Sequence, residues 1–80
     1  MADIVDQVAE QLGLQRARLG LPLEEAARRA NIPAERLSLA EDAETALDED
    51  ELNRLADAYG IDVTAFFGGR ITPKEYLFGA

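Results

Sequence analysis

Neither cysteine nor histidine occurs in the 80 residues, and this pair of absences constrains the fold more than any motif does. Disulfides and zinc sites, the usual staples of a domain this small, are ruled out within the chain. Burial of apolar surface must therefore hold it, most economically in well-packed helices. Apolar residues make up 48% and charged residues 30%, a globular balance and not that of a disordered chain. A chain this short has room for one core. With two tyrosines, three phenylalanines and no tryptophan, the expected core is aliphatic, built from Leu, Ile, Val and Ala.

The same absences narrow the chemistry. Thiol nucleophiles and histidine relays are excluded, and one lysine and one serine are left for covalent work. No enzyme is expected, and no cofactor or metal. No apolar run reaches the 18 or so residues that cross a bilayer. No basic region follows Met1, so no secretory signal is visible and the cytoplasm is the expected location.

Apolar spacing and helix punctuation divide the chain into helices. Ile4, Val5, Val8, Leu12 and Leu19 recur at helical intervals over residues 3–19. Gly13 weakens that helix by about 1 kcal/mol relative to Ala, and Gly20 stops it. Pro22 suits the start of a second helix over 23–30. Glu24 and Glu25 in its first turn and Arg28 and Arg29 in its last complement the helix dipole. Ala26, Ala27 and Ala30 form a small-residue face. Asn31 serves as a cap, and Pro33 opens a third helix over 33–40, with Ile32, Leu37 and Ala40 turned inward. Residues 41–47 lack periodicity and read as a loop. Asp48 and Glu51 form a capping box ahead of Leu52, Leu55, Ala56 and Tyr59, and Gly60 ends that fourth helix. Asp62 caps a fifth carrying Val63, Phe66 and Phe67, closed by Gly68-Gly69. Thr72-Pro73-Lys74-Glu75 predicts one more helical turn before Tyr76, Leu77 and Phe78. No strand-like alternation occurs.

Formal charge is −8, unevenly placed. Arg16, Arg18, Arg28, Arg29 and Arg36 against three glutamates make residues 14–40 locally basic, whereas residues 41–51 hold seven acidic side chains and no base. The field of the whole molecule repels phosphate backbones, so any contact with DNA needs a local basic face.

The second and third helices, joined by a tight turn, have helix-turn-helix spacing. Around them stands an ordered series: Arg16, Leu19-Gly20-Leu21, Glu24-Glu25-Ala26-Ala27, Ile32, Leu37-Ser38, Glu41, Leu52, Leu55-Ala56, Tyr59-Gly60-Ile61 and Phe66-Phe67. This series resembles the lambda-repressor-like, Cro-type helix-turn-helix domain of the XRE family over about residues 9–68, without insertion or deletion. The helix punctuation and this resemblance together predict an all-α, five-helix bundle of lambda-repressor-like type over residues 1–70, and the chain continues past the family match in a C-terminal extension at 71–80 with one helical turn. It also implies a structural ion pair between Arg16 and Glu41, in which a bidentate guanidinium and carboxylate share partial burial that neither charge tolerates alone. The parent function is DNA-binding transcriptional regulation, usually by a dimer on a two-fold site.

Departures from the family lie where DNA is read. DNA-reading members open the second helix with a Ser-Gln pair, and Pro22 and Leu23 stand there. The DNA-facing positions of the third helix hold Ala34, Glu35 and Leu39. Ala and Leu offer at most a methyl contact with thymine, and Glu must find a cytosine amine. The loop that usually meets phosphate carries Glu41, Asp42, Glu44, Asp48 and Glu49. Ala43 replaces the usual glycine after the glutamate, and Leu47 the usual proline. Arg28, Arg29 and Arg36 are left either as phosphate contacts or as partners of Glu24, Glu25 and the acidic loop. Leu23 and Leu39 either form an exposed apolar spot suited to protein or lose one member to the core.

The expected function is thus a helix-turn-helix regulatory domain acting mainly through protein contacts, alone or within a larger regulator, with a homodimeric operator binder as the alternative. The acidic run lacks the alternating ligands and central glycine of a calcium loop. It reads as a solvated helix N-terminus, or else as a phosphate mimic that docks a basic protein. The apolar residues of the two terminal extensions either pack on each other or form a homodimer surface.

Overall fold

The computed structural model describes residues 4–68, which form four α-helices and a 3-10 helix, with no strand among the described residues. They run α1 Ile4–Leu19, α2 Leu23–Ala30, α3 Ala34–Glu41, α4 Glu49–Tyr59 and the 3-10 helix Val63–Phe67. The all-α class holds, but the count of five α-helices is corrected to four. The fifth segment has only five residues between the Asp62 cap and a left-handed Gly68 (φ 62°). A segment this short closes the tighter 3-10 turn, and Phe66 and Phe67, both buried, anchor it. The end of the bundle at residue 70, the extension at 71–80 and any packing of Ile71, Tyr76, Leu77 or Phe78 on α1 lie outside the described residues.

Helix starts follow local chemistry. Pro22 and Pro33 stand just outside α2 and α3, in extended conformation, and their carbonyls accept from Ala26 and Leu37 at 3.0 and 3.1 Å. Each proline thus sits one residue before its helix, not within it, and neither helix has a side-chain cap. α4 has the complete box: Asp48 accepts from the Glu51 N–H at 2.8 Å, and Glu51 accepts from the Asp48 N–H at 2.9 Å.

All four helices end alike. A left-handed residue follows each: Gly20, Asn31, Ala43 and Gly60, with φ between 56° and 69°. The next residue then donates to the carbonyl five positions back (Leu21 to Arg16, Ile32 to Ala27, Glu44 to Leu39, Ile61 to Ala56) at 2.9–3.3 Å. The α3 ending is the odd one. Its left-handed residue comes one position later, beyond Asp42, and is an alanine where the others have Gly or Asn, followed by a charged residue where they have Leu or Ile.

α2 packs chiefly on α4 and α3, while α1 packs on the 3-10 helix and α3. The small face of Ala26, Ala27 and Ala30, at most 2% exposed, lets α2 come close to its neighbours. Leu12, Leu37, Leu52 and Leu55 fill the centre. The aliphatic expectation needs amending, because Tyr59, Phe66 and Phe67 are buried as well. Phe66 is fully enclosed, and its ring meets Tyr59 edge-on with centroids 6.1 Å apart. Leu19, expected on the inward stripe, is 50% exposed. The last turn of α1 runs past the core, and Arg16 is the side chain that reaches back from it.

Candidate nucleic-acid interface

α2 and α3 form the helix-turn-helix, and two arginine–glutamate clamps hold α3, one at its C-terminal end and one within it. At its C-terminal end the Arg16 guanidinium donates from Nε and Nη2 to the two Glu41 oxygens, both at 2.8 Å. Its Nη1 donates to the Leu21 carbonyl at 2.8 Å. Side-chain exposures of 25% and 12% place the pair at the edge of the core. The Glu41 hydrogen bonds raise the Arg16 pKa above its ordinary value against the opposing effect of burial. Glu41 also acts on Tyr59. Burial first, then the Glu41 charge, pushes the tyrosine up to about 12, and its buried hydroxyl has no hydrogen-bond partner.

In the middle of α3, Arg36 donates from Nε and Nη2 to Glu51 at 2.5 and 2.7 Å, and from Nη2 to the Ala46 carbonyl at 3.3 Å. Glu51 is buried, with a side chain 10% exposed. The Arg36 hydrogen bonds hold its carboxyl below the usual range, overcoming burial, with further help from the Asp48 N–H. One side chain therefore closes the α4 capping box and grips the cation of α3. Sequence reasoning placed Glu51 in the cap but did not assign it to Arg36. The pair spans 15 residues, and no local pattern signals it.

The cations of α2 are engaged more loosely. Arg28 and Arg29 both donate to Glu25, at 2.6 and 2.8 Å, from side chains 72% and 48% exposed. Hydrogen bonds from Arg28 and then Arg29 hold the half-buried Glu25 down to about 2. Two contacts of Arg54 were also unforeseen: it pairs with Asp50 at 3.1 Å and caps the left-handed Asn31 through that residue's carbonyl at 2.7 Å.

The four residues that the family resemblance assigns to DNA-facing positions are not alike. Leu23 and Ala34 are half-buried and rest against the core, Glu35 is exposed, and Leu39 is 37% exposed. Leu23 and Leu39 therefore make no shared exposed spot. Around them Asp42, Glu44, Asp48, Glu49 and Asp50 are exposed. This surface offers carboxylates and methyl groups, with Arg36 turned onto Glu51. The described residues contain no group of acidic side chains arranged to hold a metal ion, and no helix long and apolar enough to cross a membrane.

A helix-turn-helix domain family matches residues 7–66. No curated protein and no solved structure matches the chain. With the match covering most of the chain and the ordered residues of α1–α4 in place, the chain belongs to the helix-turn-helix domain family, in its lambda-repressor-like form.

Proposed function

We propose that this domain is a regulatory helix-turn-helix module that works mainly through protein contacts and is a poor autonomous reader of DNA. One observation carries the reading: each arginine of α2 and α3 is bonded to a carboxylate of the same chain, while the adjoining loop and the start of α4 present exposed acids. Affinity for DNA comes largely from neutralising phosphates, and sequence information from base-edge hydrogen bonds. This surface is short of both. A basic protein segment is the partner its charge fits, and high salt should weaken that contact. Titration of a labelled random duplex at physiological salt tests the reading. Binding weaker than about 1 µM is expected, and tighter binding, beyond usual non-specific association, overturns it.

The competing reading is an operator binder that uses Arg28, Arg29 and Arg36 as a homodimer. The wide exposure of Arg28 and Arg29 favours it, since ion pairs so exposed hold weakly and exchange partners readily. Under this reading the same titration gives tight, strongly salt-dependent binding, and sedimentation shows a dimer.

A further inference from the structure

We propose that Glu51 determines whether this domain accepts nucleic acid, because its carboxylate fills the guanidinium fork of Arg36 that a backbone phosphate would otherwise occupy. The inference deepens the reading above and rests on it. Carboxylate and phosphate present the same two-oxygen edge to a guanidinium, so one occupant excludes the other. Glu51 holds both donors of that edge, Nε and Nη2, at 2.5 and 2.7 Å.

Two features separate this contact from the ion pairs of α2. First, Glu51 cannot swing away freely. Its Oε1 also accepts from the Asp48 N–H at 2.9 Å, and its side chain is 10% exposed. Glu25, by contrast, is 32% exposed, and its partners are more so. Second, the Ala46 carbonyl accepts from Nη2 of Arg36, so the guanidinium is oriented from the loop as well as from α4. A phosphate approaching α3 must displace a buried, doubly bonded carboxylate, whereas at α2 it competes only with a more exposed one.

The test is fluorescence anisotropy with a labelled random-sequence duplex on four proteins: wild type, Glu51→Gln, Glu49→Gln and the double variant Glu51→Gln/Arg36→Met. Gln at position 51 keeps a carbonyl oxygen for the Asp48 N–H, so the cap survives. Glu49→Gln removes the same charge from an exposed position nearby and leaves the Glu51 carboxylate on Arg36. Glu51→Gln should bind about three- to fivefold tighter than Glu49→Gln at about 50 mM salt, with a log–log salt slope steeper by about 0.9 for one added phosphate contact. The gain should vanish in the double variant. Equal affinity of Glu51→Gln and Glu49→Gln, or a gain that survives loss of Arg36, overturns the proposal. Wild-type binding tighter than about 1 µM at physiological salt would instead strike the functional reading, and the ratio of the two Gln variants would still judge the clamp.

Should circular dichroism show that Glu51→Gln loses helix, the wild type decides by NMR. The Arg36 Nε–H resonance is expected to stay in place as duplex is added, and its movement overturns the proposal.

Discussion

The Arg16–Glu41 and Arg36–Glu51 clamps use the same chemistry on the same helix: two nitrogens on two oxygens, a carboxylate 12% or 10% exposed, and a backbone carbonyl as a third acceptor. They differ in what they join. Glu41 ends α3, and its clamp ties that end to α1 and to the turn at Leu21. Glu51 belongs to α4, and its clamp draws a side chain of α3 down onto the next helix. The first holds the scaffold together. The second also removes a cation from the surface that a helix-turn-helix normally turns to DNA. If the proposal holds, one kind of bond builds the helix at one end and keeps phosphate from it at the other, depending on which residue supplies the carboxylate.

Removing the arginines one at a time gives the largest effects and tests whether the clamps are equivalent. Arg16→Met leaves Glu41 unpaired near the core and frees the Leu21 carbonyl. It should cost about 3 kcal/mol in urea unfolding, at the low end for breaking a buried pair. Arg36→Met should cost less, about 2 kcal/mol, because Arg36 is more exposed and Glu51 keeps its Asp48 hydrogen bond. Equal losses would make the second clamp a structural twin of the first and end the distinction.

Acid titration sharpens the same contrast. Glu51 has a folded-state pKa below its unfolded value, so its stabilising contribution is complete above the ordinary glutamate value near 4.3 and is lost as pH falls through the lowered one. The stability gap between wild type and Arg36→Met should hold steady above about pH 5 and narrow below about pH 4. A gap independent of pH would mean that the charge of Glu51 does not carry the contact.

A smaller effect of opposite sign lies at the irregular end of α3. Ala43 occupies a left-handed position (φ 62°) that a Cβ disfavours, so Ala43→Gly should stabilise the domain by about 1 kcal/mol. Gly13 is the reverse case. It sits inside α1, and an added Cβ would meet Glu41 Oε1 at an ordinary 3.9 Å, so Gly13→Ala should also stabilise, by up to about 1 kcal/mol. Thermal unfolding of both variants checks the pair. Smallest of all, Arg28→Ala should change stability by under about 0.5 kcal/mol, as expected for an exposed helix pair. A larger loss would show that the α2 cations are held as firmly as Arg36.

Much of the architecture was legible before any coordinates. Glycine and asparagine marked three of the four helix ends, the Asp48–Glu51 box marked the start of α4, and the alanines of α2 marked a close-packed face. Two misreadings came from length and position. The Val63–Phe67 segment has helical spacing but too few residues for an α-helix, and Leu19 follows the stripe of α1 beyond the point where there is a core to meet. At the candidate site, the family resemblance placed Leu23, Ala34, Glu35 and Leu39 where DNA-reading members carry polar or basic side chains. It could not show that Leu23 would lean on the core while Leu39 stayed exposed, since both are leucines on short amphipathic helices.

The sequence alone determined most of the helix boundaries, because caps, prolines and 3.6-residue periodicity act over a few neighbouring residues. It also determined that no thiol or imidazole chemistry takes place within this chain. The family resemblance already implied the Arg16–Glu41 pair, which the structure shows, but only the tertiary structure decided the other partnerships, above all that of Arg36 with Glu51. Seven carboxylates lie between residues 41 and 51, and the packing angles of α1, α3 and α4 bring Glu41 to Arg16 across 25 residues and Glu51 to Arg36 across 15. Those partnerships depend on distances that exist only once the core has closed, so no local pattern could encode them.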